Sequence, residues 1–280
     1  MTAQRIGVLH PGEMGIAIAV TIKNSGHEVF WASEGRSART LARAESAGLV
    51  DAGTLAALCE TCAVIVSVCP PEFAADVADA VLACQFRGMY VDANAVSPAS
   101  KRRVAERMEQ HGVRFVDGGI IGLPARARGQ TWLYLSGAEA ESAACCFTAG
   151  PIEPEVIGTE IGKASALKMC FAAQSKGSTA LLCAVLGAAQ ELGVLEQLKR
   201  QWARGGPALA EVERNILRSA PKAWRYVGEM HEIAATFEAA GMPPQFHEGA
   251  AQIYESLREF RDGQPGFEEV LRALRKAGHA

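Results

Sequence analysis

The chain has 280 residues, enough for about two domains at roughly 150 residues each, and its 49% hydrophobic content excludes disorder as a description of the whole. The 31 acidic and 28 basic residues, a formal charge of -3 and a pI near 6.1 supply no basic footprint for nucleic acid or an anionic membrane surface. The longest strongly apolar run, Ala180 to Ala189, is about half of the roughly 20 residues that cross a bilayer, and no basic segment followed by an apolar one precedes the first strand pattern. A cytoplasmic protein with neither nucleic acid nor membrane as partner is expected. Eight cysteines, several within apolar patterns, fit reduced thiols better than a disulfide framework.

In chain order, Arg5–Leu9, Glu28–Trp31, Val64–Val68, Met89–Asp92 and Phe115–Ile121 are predicted strands, and Met14–Ser25, Ala38–Ala47, Phe73–Ala83 and Ser97–His111 are the helices between them. This alternation is the pattern of a doubly wound parallel sheet covered by helices on both faces. Thr131–Ser136 adds a strand and Glu139–Thr148 a helix, and Pro151-Ile152-Glu153-Pro154 interrupts the pattern before a last short strand near Val156. A domain boundary is expected at residues 158 to 162, giving a nucleotide-binding domain over 1–160 and an all-helical domain over 161–280. From Lys163 to Glu191 there is no proline and alanine and leucine are frequent, so one long helix is predicted, apolar on most faces and covered by its own domain or by a second subunit. The remainder, through Trp202, Trp224, Met230 and Tyr254, reads as helices, with breaks at Gly205-Gly206-Pro207, Gly241–Pro244 and Gly263–Gly266; the two tryptophans are expected in the core.

The first strand runs into His10-Pro11-Gly12-Glu13-Met14-Gly15 and then an apolar helix, the context in which a dinucleotide pyrophosphate sits on helix N-terminal amides. Against the spacing Gly-x-Gly-x-x-Gly, Gly12 and Gly15 hold the second and third places while His10 holds the first. At the tip of the second strand, Arg36 with Ser33 and Ser37 favours the 2′-phosphate of NADP over NAD, and Glu34 is the one contrary residue. Cys69 and Pro70 end the third strand beside the expected nicotinamide path. Asn94, just past the fourth strand, is placed to orient a substrate oxygen, whereas Ser97 before Pro98 has the position of a helix cap. Lys168 lies amid small apolar residues of the long helix, where desolvation would tune an amine for acid–base work, and Ser175 continues a polar stripe on its face. His231 is a further candidate toward substrate. Cys59-Glu60-Thr61-Cys62 lacks a second pair at zinc spacing, so no metal is expected.

The His10–Gly15 loop, the Asp92–Pro98 segment, the Asp117-Gly118-Gly119-Ile120-Ile121-Gly122 strand end, and Gly162 followed six residues later by Lys168 occur in the order that resembles the β-hydroxyacid dehydrogenase and 6-phosphogluconate dehydrogenase superfamily. Ala166-Leu167-Lys168-Met169-Cys170 and Glu229-Met230-His231-Glu232-Ile233-Ala234 are similar to the branch whose C-terminal domain is a domain of unknown function. The resemblance implies a Rossmann domain, an all-α C-terminal domain built on the long helix, and a homodimer. It aligns the family's serine with Asn94, its Ser-Gly-Gly substrate loop with Ile121-Gly122-Leu123, and its asparagine after the lysine with Ala172, so the usual hydroxy-acid clamp is replaced by more apolar residues. The function expected is hydride transfer between NADP and a carbinol or carbonyl carbon, with Lys168 as general acid–base. The alternatives are an imine reductase-like enzyme and an NADP-binding sensor without turnover.

Overall fold

A computed structural model describes residues 2–276, which divide into two compact units, the first ending at Met169 and the second beginning at Cys170. The first contains β1 (Arg5–Val8), α1 (Glu13–Asn24), β2 (Glu28–Trp31), α2 (Ala38–Ser46), β3 (Val50–Asp51), α3 (Leu55–Thr61), β4 (Val64–Ser67), α4 (Ala74–Ala83), β5 (Met89–Asp92), α5 (Pro98–Gln110), β6 (Arg114–Gly122), β7 (Thr131–Ser136), α6 (Ala140–Ala144), β8 (Ile152–Val156) and the start of α7 (Lys163–Glu191). One eight-stranded sheet has the order β3-β2-β1-β4-β5-β6-β7-β8. Among the described strands the β6–β7 pair alone is antiparallel, and β8 runs parallel to β7. Consecutive residues of the central strands serve opposite faces: Val64, Val66, Met89 and Val91 join one buried cluster with Ile18 and Ile22 of α1, while Ile65 and Tyr90 join another with Leu58 and Met108. Every residue of β4 and β5 is therefore buried, as expected where helices cover both faces of a parallel sheet.

The structure adds two elements that the pattern did not announce. β3 is only two residues long, and α3 is a short helix whose first turn is capped by Thr54 accepting from the Ala57 amide. Pro154, expected to interrupt pairing, sits within β8 in register with Leu133. It is tolerated because β8 is the edge of the sheet, where no further neighbour needs its missing N–H. The turn at 158–162 lies within the first unit, and the first two turns of α7 go with the sheet. Gly119 explains the closeness: a Cβ there would stand 2.5 Å from the Ala164 carbonyl oxygen and 3.1 Å from the Lys168 Cβ.

The second unit continues α7 and adds α8 (Leu195–Gly205), α9 (Leu209–Ser219), α10 (Ala223–Ala239), α11 (Gln245–Glu255) and α12 (Phe267–Lys276). Its core includes Cys183, Leu186, Met230, Ile233, Tyr254 and Leu257. Lys176 pairs with Glu229 and lies 4.4 Å above the Tyr226 ring, and the Tyr254 hydroxyl donates to the Lys176 carbonyl at 2.8 Å. Trp202 and Trp224 are half-buried rather than core residues; Trp224 instead receives the Arg261 guanidinium 4.0 Å from its ring centre, a cation–π contact that suits a partly wet site. By length and composition α7 is apolar enough to cross a bilayer, with a mean hydropathy of 1.2 over an 18-residue window of which 39% is buried. Averaging over that window passes over the polar residues that limited the uninterrupted run to Ala180–Ala189.

Candidate functional site

The carboxyl ends of β1, β4, β5 and β6 gather the loops with chemical potential, the edge at which ligands bind in open α/β sheets. After β1 the chain turns so tightly that the Gly12 amide donates to the His10 carbonyl at 2.7 Å. A Cβ on Gly15 would lie 2.0 Å from that same carbonyl oxygen, so only glycine fits, whereas a Cβ on Gly12 would meet nothing within 4 Å. Gly12 is the N-cap of α1 and supplies no side-chain cap. The amides of Glu13, Met14 and Gly15 thus begin a helix that leaves them without intrahelical acceptors, beneath open space that a side chain would have filled. Pro11 is buried and its carbonyl accepts from Arg43 at 3.4 Å, and the Glu13 side chain points outward, 3.8 Å from Arg39.

Beyond β2, the turn Ser33–Arg36 closes with the Arg36 amide donating to the Ser33 carbonyl at 3.1 Å, and Gly35 takes a positive φ of 70°. This turn sends Arg36 into a cleft of about 480 Å³ lined by His10, Arg36, Cys69, Pro70, Phe73, Asp76, Val77 and Ala80. Burial pulls the Arg36 guanidinium below its ordinary value. Among the described residues, its Nε and the His10 Nδ1 are buried without a hydrogen-bond partner. His10 is held neutral, lowered to about 4 by burial first and by the Arg36 charge second. Burial pushes the Cys69 thiol up to about 12, so it is not a nucleophile here. Ser33 is half-buried and Glu34 is exposed. Ser37 is the N-cap of α2: its hydroxyl accepts from the Thr40 amide and bonds the Thr40 hydroxyl at 3.1 Å. The predicted cofactor residues Arg36, Cys69 and Pro70 therefore come together, joined by His10, Phe73 and Val77, which the sequence reading did not place there.

Asn94 requires a correction. It is 2% exposed, its Oδ1 accepts from the Cys69 amide at 2.6 Å, and its Nδ2 donates to the Ser67 hydroxyl at 3.0 Å. With both ends of the amide engaged, it ties the β4 loop to the β5 loop and is not directed at a substrate oxygen. Ser97 is the N-cap of α5, accepting from the Ser100 amide.

Next to Asn94 lies a group absent from the sequence reading. Lys101 of α5 is 0% exposed; its Nζ donates to the Asp92 carboxylate at 2.8 Å, to the Asp92 and Gly118 carbonyls, and lies 3.6 Å from Asp117. The other oxygen of Asp117 accepts from the Gly162 and Ser165 amides, each at 3.0 Å, and from the hydroxyls of Ser136 and Ser165, each at 3.1 Å. Ser136 in turn accepts from the Ala164 amide at 3.0 Å. Two side chains of the sheet thus cap the opening amides of α7, and a carboxylate stands at the positive end of its dipole. A signal existed: Lys101 begins the i, i+3, i+4, i+7 stripe completed by the buried Val104, Ala105 and Met108, where a lysine has to be paired.

Lys168 is half-buried on the second turn of α7, its Cβ against Gly119 of β6. Ile121 and Gly122 pair with Trp132 and Thr131 in the β6–β7 hairpin; Ile121 is buried, while Leu123 is 56% exposed. Leu123 lies just past the end of β6. In the second unit the Ser175 hydroxyl donates to the Phe171 carbonyl of its own helix at 3.0 Å, and His231 is exposed on α10. Among the described residues of that unit the buried histidine is His247, between the Phe237 and Phe246 rings at 4.4 and 5.2 Å. Among the described residues no group of three His, Cys, Asp or Glu side chains is placed to hold a metal ion.

Glycine loop, open helix start and strand order define a dinucleotide-binding protein with the fold of NAD(P)-dependent dehydrogenases and reductases. Residues 5–147, slightly more than half the chain, match the NAD binding domain of 6-phosphogluconate dehydrogenase, and the chain belongs to that family. Residues 189–257 match a domain of unknown function, DUF1932. An uncharacterised 28.5 kDa protein of Methanothermus fervidus is 30% identical over 194 residues, 69% of this chain and 74% of that protein. A conserved protein of unknown function, structurally similar to 3-hydroxyacid dehydrogenases, superposes with a TM-score of 0.65 at 28% identity, covering 94% of this chain and all of that one. A 3-hydroxyisobutyrate dehydrogenase of Mycobacterium tuberculosis gives a TM-score of 0.69 at 18% identity, over 98% of this chain and 100% of the other; at that identity the likeness concerns the fold.

Lys101→Met should remove the cation that pairs with two buried carboxylates and cost about 3–5 kcal/mol of stability, read as a lowered midpoint in urea denaturation. Asp117→Asn combined with it should recover part of the loss, because one of the stranded charges is then gone.

Proposed function

We propose that the protein is an NADP-dependent oxidoreductase acting on a carbinol or carbonyl carbon of a small organic substrate. The observation that carries this reading is the open first turn of α1 under the space above Gly12, beside a cleft into which Arg36 projects. A pyrophosphate on the Glu13–Gly15 amides would extend its adenosine toward Arg36, with Pro70, Phe73 and Val77 offering apolar surface to a flat ring. Glu34, the residue expected to oppose a 2′-phosphate, is exposed and has room to turn into water. The bound nicotinamide would supply or accept the hydride. Lys168, rooted against β6 at the carboxyl edge, would give a proton to the substrate oxygen or take it. Asn94 would hold the two loops beside it in place.

We further infer a cytoplasmic homodimer. Leu167, Phe171 and Leu181 follow one face of α7 and are 39%, 45% and 49% exposed, and Leu192 just past its end is 75% exposed, an apolar stripe that favours cover by a second copy. All eight cysteines are free thiols, in keeping with a reducing compartment.

Three measurements test this reading. Lys168→Ala, with Lys168→Met keeping the stem volume, should lower turnover about 10²–10⁴-fold against a carbonyl panel while cofactor affinity changes little; near wild-type turnover removes Lys168 from the chemistry. In fluorescence titrations Arg36→Ala should weaken NADPH by about tenfold or more and NADH far less, and a variant that still discriminates would refute the assignment. Sedimentation at micromolar concentration should give twice the 29.6 kDa chain mass; a stable monomer would exclude the dimer.

A further inference from the structure

His10 occupies the place where the family's loop carries its first glycine, and the structure shows where its ring goes. The backbone of His10 is pinned, since its carbonyl accepts from Gly12 and Gly15 packs directly upon it. His10 thus starts from a fixed point and lines the same cleft as Arg36. His10 Nδ1 and Arg36 Nε are both buried and, among the described residues, without a hydrogen-bond partner. Burying a polar nitrogen without a partner costs about 1–3 kcal/mol, and two such atoms on residues that line one cleft are accounted for if a ligand supplies the acceptor. One is on a permanent cation; the other is on an imidazole that burial and that cation keep neutral, able to donate through Nδ1–H. Two donors of this kind suit an anion with several oxygens.

We propose that His10 binds the phosphorylated adenosine ribose directly, its Nδ1–H donating to the 2′-phosphate that Arg36 holds from the other side. The inference rests on the NADP reading above and deepens it: the residue that departs from the glycine pattern becomes part of the clamp distinguishing NADP from NAD. The family's glycine offers no side chain for this, so the substitution is a gain of a ligand rather than a defect of the loop. Cys69 and Asp76, the other polar groups lining the cleft, offer the phosphate no competing donor, since the thiol is a weak one and an ionised carboxylate has none.

The test uses the full-length protein and two probes of the adenosine end, 2′,5′-ADP and 5′-AMP, titrated calorimetrically, with NADPH and NADH alongside. His10→Ala should weaken 2′,5′-ADP by at least about tenfold, the worth of a hydrogen bond to a charged group, and 5′-AMP by less than about threefold. His10→Asn, whose amide nitrogen can stand near the place of Nδ1, should recover most of the loss, whereas His10→Leu, similar in bulk and without a donor, should not. If His10→Ala does not fold, the Asn and Leu variants carry the same comparison. Equal weakening of both probes, as expected of a residue that merely shapes the loop, or no weakening of either, overturns the proposal while leaving dinucleotide binding intact. A wild-type protein that binds neither NADPH nor NADH overturns the cofactor reading itself.

Discussion

The buried carboxylate of Asp117 is the interaction on which the first unit depends. It stands in register with Asp92 on the neighbouring strand β5 and with Ser136 on β7, so three strands deliver polar side chains to one point at the carboxyl edge of the sheet. Lys101 reaches that point from α5, and the opening amides of α7 descend on it from the other side. Taking such charges out of water costs several kcal/mol per ion, and only close geometry with additional hydrogen bonds offsets it. The structure meets that condition through seven hydrogen bonds of Lys101 and Asp117 among the described residues, shared among α5, β5, β6, β7 and the start of α7. What the cluster provides is position: a helix whose first amides are bonded to particular sheet oxygens cannot slide along the strand.

That fixed start determines what Lys168 can do. It lies one turn beyond Ser165, whose amide and hydroxyl both bond Asp117, and its stem passes Gly119 where a side chain would have pushed the helix away. Glycine permits the approach and Asp117 sets its register. The same edge holds the loop at Gly12 and the Asn94 bridge between β4 and β5, so positions distant in sequence share one rigid support. The proton-transfer role proposed for Lys168 would need such support, because misplacement by about 1 Å is costly in rate.

The second unit is organised differently, around polar groups within helices. The Lys176–Glu229 pair, the Tyr226 ring above it and the Tyr254 hydroxyl below form a half-buried knot among α7, α10 and α11. Its lysine is fully engaged within the unit, and the apolar face of α7 that remains outward bears leucine and phenylalanine rather than charge. A long helix can thus satisfy its inward side by polar contacts and still present an apolar stripe outward, which is why its composition alone reads equally as a core helix or a membrane span.

The sheet, its helices, the glycine loop and the long α7 were legible in the sequence, because each is specified by local periodicity or by a residue type required at one place, as Gly15 is under the His10 carbonyl. The short β3 and the edge strand containing Pro154 were not, since they are held by neighbours rather than by their own pattern. The candidate site divides along the same line. Arg36, Cys69 and Pro70 could be placed by their positions after strands, but Asn94 and Ser37 have side chains whose partners lie elsewhere, and only tertiary contacts reveal that a cap or a bridge occupies them. His231 and His247 are alike in sequence, yet one is in water and the other between two phenylalanine rings. Sequence by itself determined which segments form the dinucleotide fold and where its loops fall; the folded chain alone decided that Asp92, Lys101 and Asp117 meet and that His10 turns toward Arg36, because burial and charge pairing are properties of neighbours in space.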